Sequence, residues 1–118
     1  MLNDAFQIRR VILCCGHVDM RRGIEGLAQV VGSRFKLNPY DKGTLFLFCG
    51  KRTDRIKMLL WMGDGFILMY RRFEDGHLSW PRTPEQAAEL SEEQYNLLMQ
   101  GYDPITVRIK DVLPKKVC

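Results

Sequence analysis

The chain has 118 residues, 46% of them apolar and 27% charged, with a formal net charge of +4. That length supports one domain-sized core, and the apolar share excludes a disordered chain. No run of about 18 apolar residues is present to span a membrane, and the opening MLNDAFQIRR lacks the charged-then-apolar order of a secretory signal, so the expectation is a soluble cytoplasmic protein.

The first predicted element is a buried strand, the apolar run Arg10 to Cys15. Amphipathic spacing of Met20, Ile24, Leu27, Ala28 and Val31 then predicts a helix from Met20 to Phe35, with Asp19 as its cap. Two features of that helix are unusual. Arg21 and Arg22 fall in its first turn, where the helix dipole is already positive. Gly23, Gly26 and Gly32 sit inside it, and each costs roughly 1 kcal/mol relative to Ala unless a close approach requires it. The loop KLNPYDKG follows, then a second apolar strand, Thr44 to Cys49.

GKRTDR is a charged loop, and strands are predicted over Ile56 to Met62 and Phe66 to Phe73. Asp64-Gly65 between them reads as a two-residue hairpin turn, and Asp75-Gly76 as another, leading to a short strand Leu78–Trp80. The three strands would form a meander that Pro81 and Pro84 end. Ser91 and Gln94 make a capping box for a last helix that Gly101 closes. Ile105 to Ile109 alternates and predicts an edge strand or a tail. The reading is one α+β domain over 1–104 with a tail over 105–118. Its sheet has four or five mainly antiparallel strands, one long helix packed on it and a second helix after it.

Those turns fix a register. Trp61 would face Leu68, Leu59 would face Tyr70, and Lys57 would face Arg72. One sheet face then carries Met58, Leu60, Met62, Ile67, Met69, Phe73, Leu78 and Trp80, with Arg71 as the one charge, and belongs on the core. The other carries Lys57, Leu59, Trp61, Leu68, Tyr70, Arg72 and Ser79. Cations and flat rings on one surface suit nucleic acid. The alternative is a face covered by a helix or a second copy of the chain, with the cations at its rim.

Charge is unevenly placed. Residues 1–82 hold 14 Lys/Arg against 8 Asp/Glu, whereas residues 83–103 hold five acids and no base. The densest cationic cluster is Lys51, Arg52, Arg55 and Lys57, with Asp54 among them, a composition suited to backbone phosphates or to a solvated loop. Cys14 and Cys15 should point to opposite faces, and with Cys49 and His17 they match no zinc-ligand spacing, so neither metal nor cofactor is expected. Asp19, Asp54 and Asp64 are better explained as cap, ion-pair partner and turn residue than as a catalytic carboxylate cluster, so no catalysis is expected.

Two stretches resemble a known family. Gly16, Asp19-Met20-Arg21-Arg22-Gly23 and Gly26-Leu27 match the pattern G-x-x-D-M-R-K/R-G-x-x-G-L. Asp54, Arg55, Lys57, Leu59, Trp61, Gly63, Asp64, Gly65 and Phe66 match D-R-x-K-x-L-x-W-x-G-D-G-F. Tyr70-Arg71-Arg72-Phe73-Glu74 and Gly76 to Pro81 fit as well. The chain thus resembles, from about Val11 to Gly101, the TnpB (Orf2-like) accessory proteins of insertion sequence 66-type elements. The resemblance implies a bacterial transposition factor that works beside a separate transposase and binds DNA. Met62 stands where such proteins often carry an acid. The expected phosphate contacts are Arg21, Arg22, Lys51, Arg52, Arg55, Lys57, Arg71 and Arg72, with Trp61 and Tyr70 on bases or sugars. The expected partners are element-end DNA, the transposase and a second copy in a homo-oligomer. The competing expectation is an adapter that docks the transposase through the acidic helix Glu85–Gln100 or the Trp61 face.

Overall fold

A computed structural model describes residues 7–83 and 86–104. In chain order the elements are β1 (Arg10–Cys14), α1 (Ile24–Ser33), β2 (Thr44–Phe48), β3 (Arg55–Trp61), β4 (Phe66–Arg72), β5 (Ala87–Leu90) and α2 (Glu92–Met99). They form one five-stranded sheet of order β4-β3-β2-β1-β5. The sheet is mostly antiparallel, and the α+β expectation holds.

The exception to antiparallel pairing organises the molecule. β1 runs parallel to β2, from Arg10↔Thr44 to Leu13↔Leu47. Parallel neighbours need a crossover, and α1 lies within it. Both strands are near-continuous apolar runs, RVILC and TLFLF, because each sheet face is covered at the centre. Ile12, Cys14, Phe46, Phe48 and Leu59 pack against Leu27, Val30 and Val31 of α1. Leu13, Leu45, Leu47, Ile56, Met58 and Leu60 form a second core on the opposite face with Leu78, Trp80 and Leu98. Cys14 and Cys15 fall in different cores, as alternation requires. Burial pushes both thiols above the ordinary value.

Four expectations are corrected. First, the helix does not span Met20 to Phe35, and Asp19 does not cap it. The N-cap is Gly23, without a side-chain hydrogen bond, and residues 19–22 form a separate turn closed by Arg22 N–H on the Asp19 carbonyl at 3.1 Å. Arg21 and Arg22 therefore stand just before the helix rather than in its first turn, and Asp19 offsets the Arg21 charge there through a contact of 2.8 Å. Gly26 leaves room for the Arg22 stem, whose Cβ lies 3.1 Å from where a Gly26 Cβ would stand.

Second, the hairpin turn is Gly63-Asp64 and not Asp64-Gly65. Met62 N–H donates to the Gly65 carbonyl at 2.8 Å, and Gly63, the first loop residue, takes φ +98°, a conformation that favours glycine. The pairs become Trp61↔Phe66, Leu59↔Leu68, Lys57↔Tyr70 and Arg55↔Arg72. The register moves by two residues, so every side chain keeps its predicted face; a slip of one would have exchanged them. Of the two alternatives for the Trp61 face, cover by a helix holds for Leu59 and Leu68, which lie in the core beneath α1.

Third, Leu78–Trp80 is not a strand, and the meander stops at β4. The chain leaves the sheet after Phe73, and Leu78 N–H donates to the Thr53 carbonyl at 2.7 Å. Leu78 and Trp80 are nonetheless buried on the predicted face, and Trp80 Nε1 donates to the Cys14 carbonyl at 3.1 Å. Fourth, the acidic segment is not one helix over Glu85–Gln100. Ala87–Leu90 is strand β5, antiparallel to β1 from Val11↔Leu90 to Cys14↔Ala87. The predicted capping box of Ser91 and Gln94 starts α2 after it. α2 ends as expected at Gly101, where Gly101 N–H and Tyr102 N–H reach back to the Leu98 and Leu97 carbonyls, both at 3.0 Å. The predicted tail over 105–118, including Cys118, lies outside the described residues. Among the described residues, no helix is long and apolar enough to cross a membrane.

The turn assignment can be tested with paired variants. Gly63→Ala should destabilise the fold by about 1–2 kcal/mol in urea unfolding, because its left-handed φ disfavours a Cβ. Gly65→Ala should be near neutral, since its φ is not positive and a Cβ there meets nothing within 4 Å. The opposite ranking would restore the Asp64-Gly65 turn.

Candidate nucleic-acid interface

Parallel pairing brings the C-terminal ends of β1 and β2 to the same end of the sheet. Ligands of open α/β sheets bind outside such strand ends. The loop after β1 carries Gly16 to Gly23, and the loop after β2 carries Gly50 to Asp54. β3 starts and β4 finishes at this same end. Segments far apart in sequence therefore share one location.

The β1–α1 loop is laid against the end of β2. Gly16 N–H donates to the Pro81 carbonyl at 2.7 Å, and Val18 N–H to the Cys49 carbonyl at 3.0 Å. Gly50 makes room for Met20: a Cβ there would stand 2.6 Å from Met20 Cγ and would push that side chain aside. Lys57 Nζ, on β3, donates to the Arg22 carbonyl at 3.0 Å and so ties the loop to the sheet. Burial pushes the Cys49 thiol up to about 11, and it stays protonated as a donor toward the Arg52 and Arg55 carbonyls at 3.6 and 3.5 Å.

Between these loops, α1 and β3–β4 lies a groove of about 1180 Å³. Seven cations line it: Arg21, Arg22, Arg34, Lys51, Arg52, Arg55 and Lys57; Asp19 is the one carboxylate among the described lining residues. Its apolar lining is Val18, Met20, Val30 and Leu68, and the Tyr70 and His17 rings also border it. Tyr70 is 53% exposed, with Lys57 Nζ 5.9 Å from its ring centre.

Two aspartates arrange the guanidinium groups. Asp19 accepts Arg21 N–H at 3.0 Å, Arg21 Nε at 3.0 Å and Arg21 Nη2 at 2.8 Å. The Arg21 guanidinium and backbone N–H hold its carboxyl well below the usual carboxylate range. Asp54 sits between Arg55 Nε at 3.0 Å and Arg52 Nη2 at 3.1 Å, and Arg55 chiefly lowers its pKa. Arg34 donates through Nη1 to the His17 carbonyl at 2.8 Å. Arg22, Arg34, Lys51 and Lys57 have no carboxylate partner among the described residues.

Seven of the ten predicted binding residues converge here: Arg21, Arg22, Lys51, Arg52, Arg55, Lys57 and Tyr70. Three do not. Trp61 lies at the opposite end of β3, packed edge-on against Tyr40 and Phe66 at 5.0 and 4.8 Å between ring centres. Arg71 projects from the other sheet face and lies 4.6 Å over the Phe73 ring. Arg72 shares the face of Tyr70 but lies outside the groove, 3.6 Å from Glu74. Arg34 and His17 were missed. Arg34 stands at the α1 C-cap, where a cation suits the dipole, which is a readable signal. His17 carried none beyond its place in the motif. Asp64 lies in the turn after β3, far along the strand from Asp54 at its start, so the three aspartates do not gather. Among the described residues, no three His, Cys, Asp or Glu side chains group as metal ligands.

Residues 9–108 match the model of the family described as IS66 Orf2 like protein. The chain is 38% identical over 109 residues, 92% of each chain, to uncharacterized protein y4jC of Sinorhizobium fredii (strain NBRC 101917 / NGR234). It is 37% identical over 94 residues, about four fifths of each chain, to uncharacterized protein y4hO of the same strain. No solved structure matches it. The chain belongs to the IS66 Orf2-like family of insertion-sequence accessory proteins.

The clamp at Asp54 has a pH signature. Its carboxyl pKa is depressed in the fold, so its contribution is complete above the ordinary value of 3.8 and is lost as pH falls through the lower folded value. Asp54→Asn should therefore lower the urea midpoint at neutral pH, and the gap to the parent should close as pH drops below the ordinary carboxylate range. A gap that stays constant to low pH would show that charge at Asp54 contributes nothing.

Proposed function

We propose that this chain is a non-catalytic DNA-binding accessory factor for transposition, holding DNA of the element ends in the groove beside a separate transposase. One observation carries the reading. The first family motif and the start of the second meet at one concave cationic surface, with Lys57 bonded to the carbonyl of Arg22, 35 positions away in sequence. Guanidinium and ammonium donors on such a surface suit phosphate oxygens, and neutralising phosphates releases counterions. The non-catalytic reading is supported by the single carboxylate, Asp19, among the described lining residues and by its engagement with Arg21, since metal-assisted phosphoryl transfer calls for clustered carboxylates.

An exposed apolar strip of Leu90, Leu97 and Leu98 would favour the adapter reading, and all three are buried.

The test is a salt series of binding to element-end and random duplex, with the purified chain alone and again with the transposase. The parent should bind DNA alone with a steep salt dependence. Converting Arg21, Arg22, Arg52 and Arg55 together to Ala should weaken binding roughly tenfold or more and flatten the log–log salt slope by about 2–4. Unchanged affinity and slope would remove the groove from DNA binding. Binding seen only with the transposase present would establish the adapter.

A further inference from the structure

The groove contains more than phosphate binding requires. Beside its cations it is lined by Met20 and Leu68, with the nearly buried Val18 and Val30 behind them, and the Tyr70 ring stands exposed among these side chains. Intact duplex presents phosphates and sugars outward and keeps its base faces stacked inside. Against that surface an apolar lining and an open ring gain little. An unpaired strand presents both phosphates and base faces. Grooves that hold single strands combine cations along the backbone path with aromatic rings under the bases. Size is compatible: pockets of roughly 300–1,000 Å³ take one drug-sized ligand, and an open groove of about 1180 Å³ has room for a short segment of one strand.

Tyr70 is also held in place for stacking. It pairs with Lys57 across the β3–β4 ladder, so its backbone is fixed by the sheet. Lys57 is itself anchored on the Arg22 carbonyl, beside the cations that would meet the flanking phosphates. Trp61 cannot fill this role, because it lies in the aromatic cluster with Tyr40 and Phe66.

We infer that the groove takes an unpaired DNA strand, as at a frayed or overhanging end, in preference to intact duplex, with a base stacked on Tyr70. This rests on the DNA-binding reading and names the form of DNA.

Three labelled probes test it by fluorescence anisotropy at one salt concentration: a short oligo(dT), a blunt duplex of the same length, and that duplex with a single-stranded overhang. The oligo(dT) and the overhang should bind roughly tenfold tighter than the blunt duplex. Tyr70→Ala should remove that preference, weakening the single strand about fivefold or more, while Tyr70→Phe should retain it because the ring remains. Equal binding of all three probes, or a Tyr70→Ala loss of the same factor on single strand and blunt duplex, overturns this inference and leaves the DNA reading standing. Binding to none of the probes overturns both.

Discussion

The parallel pairing of β1 with β2 is the constraint on which the rest depends. An antiparallel pair would close through a short turn and put the two following loops at opposite ends. The parallel pair demands a crossover, which carries α1 across one face and seals the core there. It also sends both strand ends, with their loops, to the same side. The DMRR turn and the KRTDR loop are neighbours for that reason, and the groove between them is a consequence of topology before it is one of side chains.

Much of this was legible in the sequence, and the errors have specific causes. β1 through β4 were visible as apolar runs between turn residues. The faces of β3 and β4 were assigned correctly even though the turn was misplaced by one residue, because the resulting two-residue shift preserves the pleat. Gly63 and Gly65 flank Asp64, and composition alone does not say which of them takes the positive φ. The α1 start was misplaced because Asp19 looks like a cap; its carboxylate is committed to Arg21 instead, and Gly23 takes the cap position unaided. β5 was missed because AAEL has weak strand character. It is a strand because β1 offers it a free edge, which is tertiary information.

The site was legible in its parts and not in its extent. Cation-rich loops and the two motifs picked out seven residues that come together. Arg71 and Arg72 follow Tyr70 in sequence, yet alternation sends Arg71 to the opposite face and the end of β4 leaves Arg72 outside. Trp61 shares the face of Lys57, but four residues of strand carry it well away from the groove. Sharing a face was the right criterion, and position along the strand was the missing one.

Asp19 and Asp54 put negative charge into a basic surface, which weakens its pull on a distant anion. Their effect on the empty protein runs the other way. Seven like charges around one concavity repel one another and work against the compact state. Here each aspartate holds arginines of its own neighbourhood at hydrogen-bonding distance. The carboxylates act as resident counterions, and they hold Arg21, Arg52 and Arg55 in set positions before anything occupies the groove.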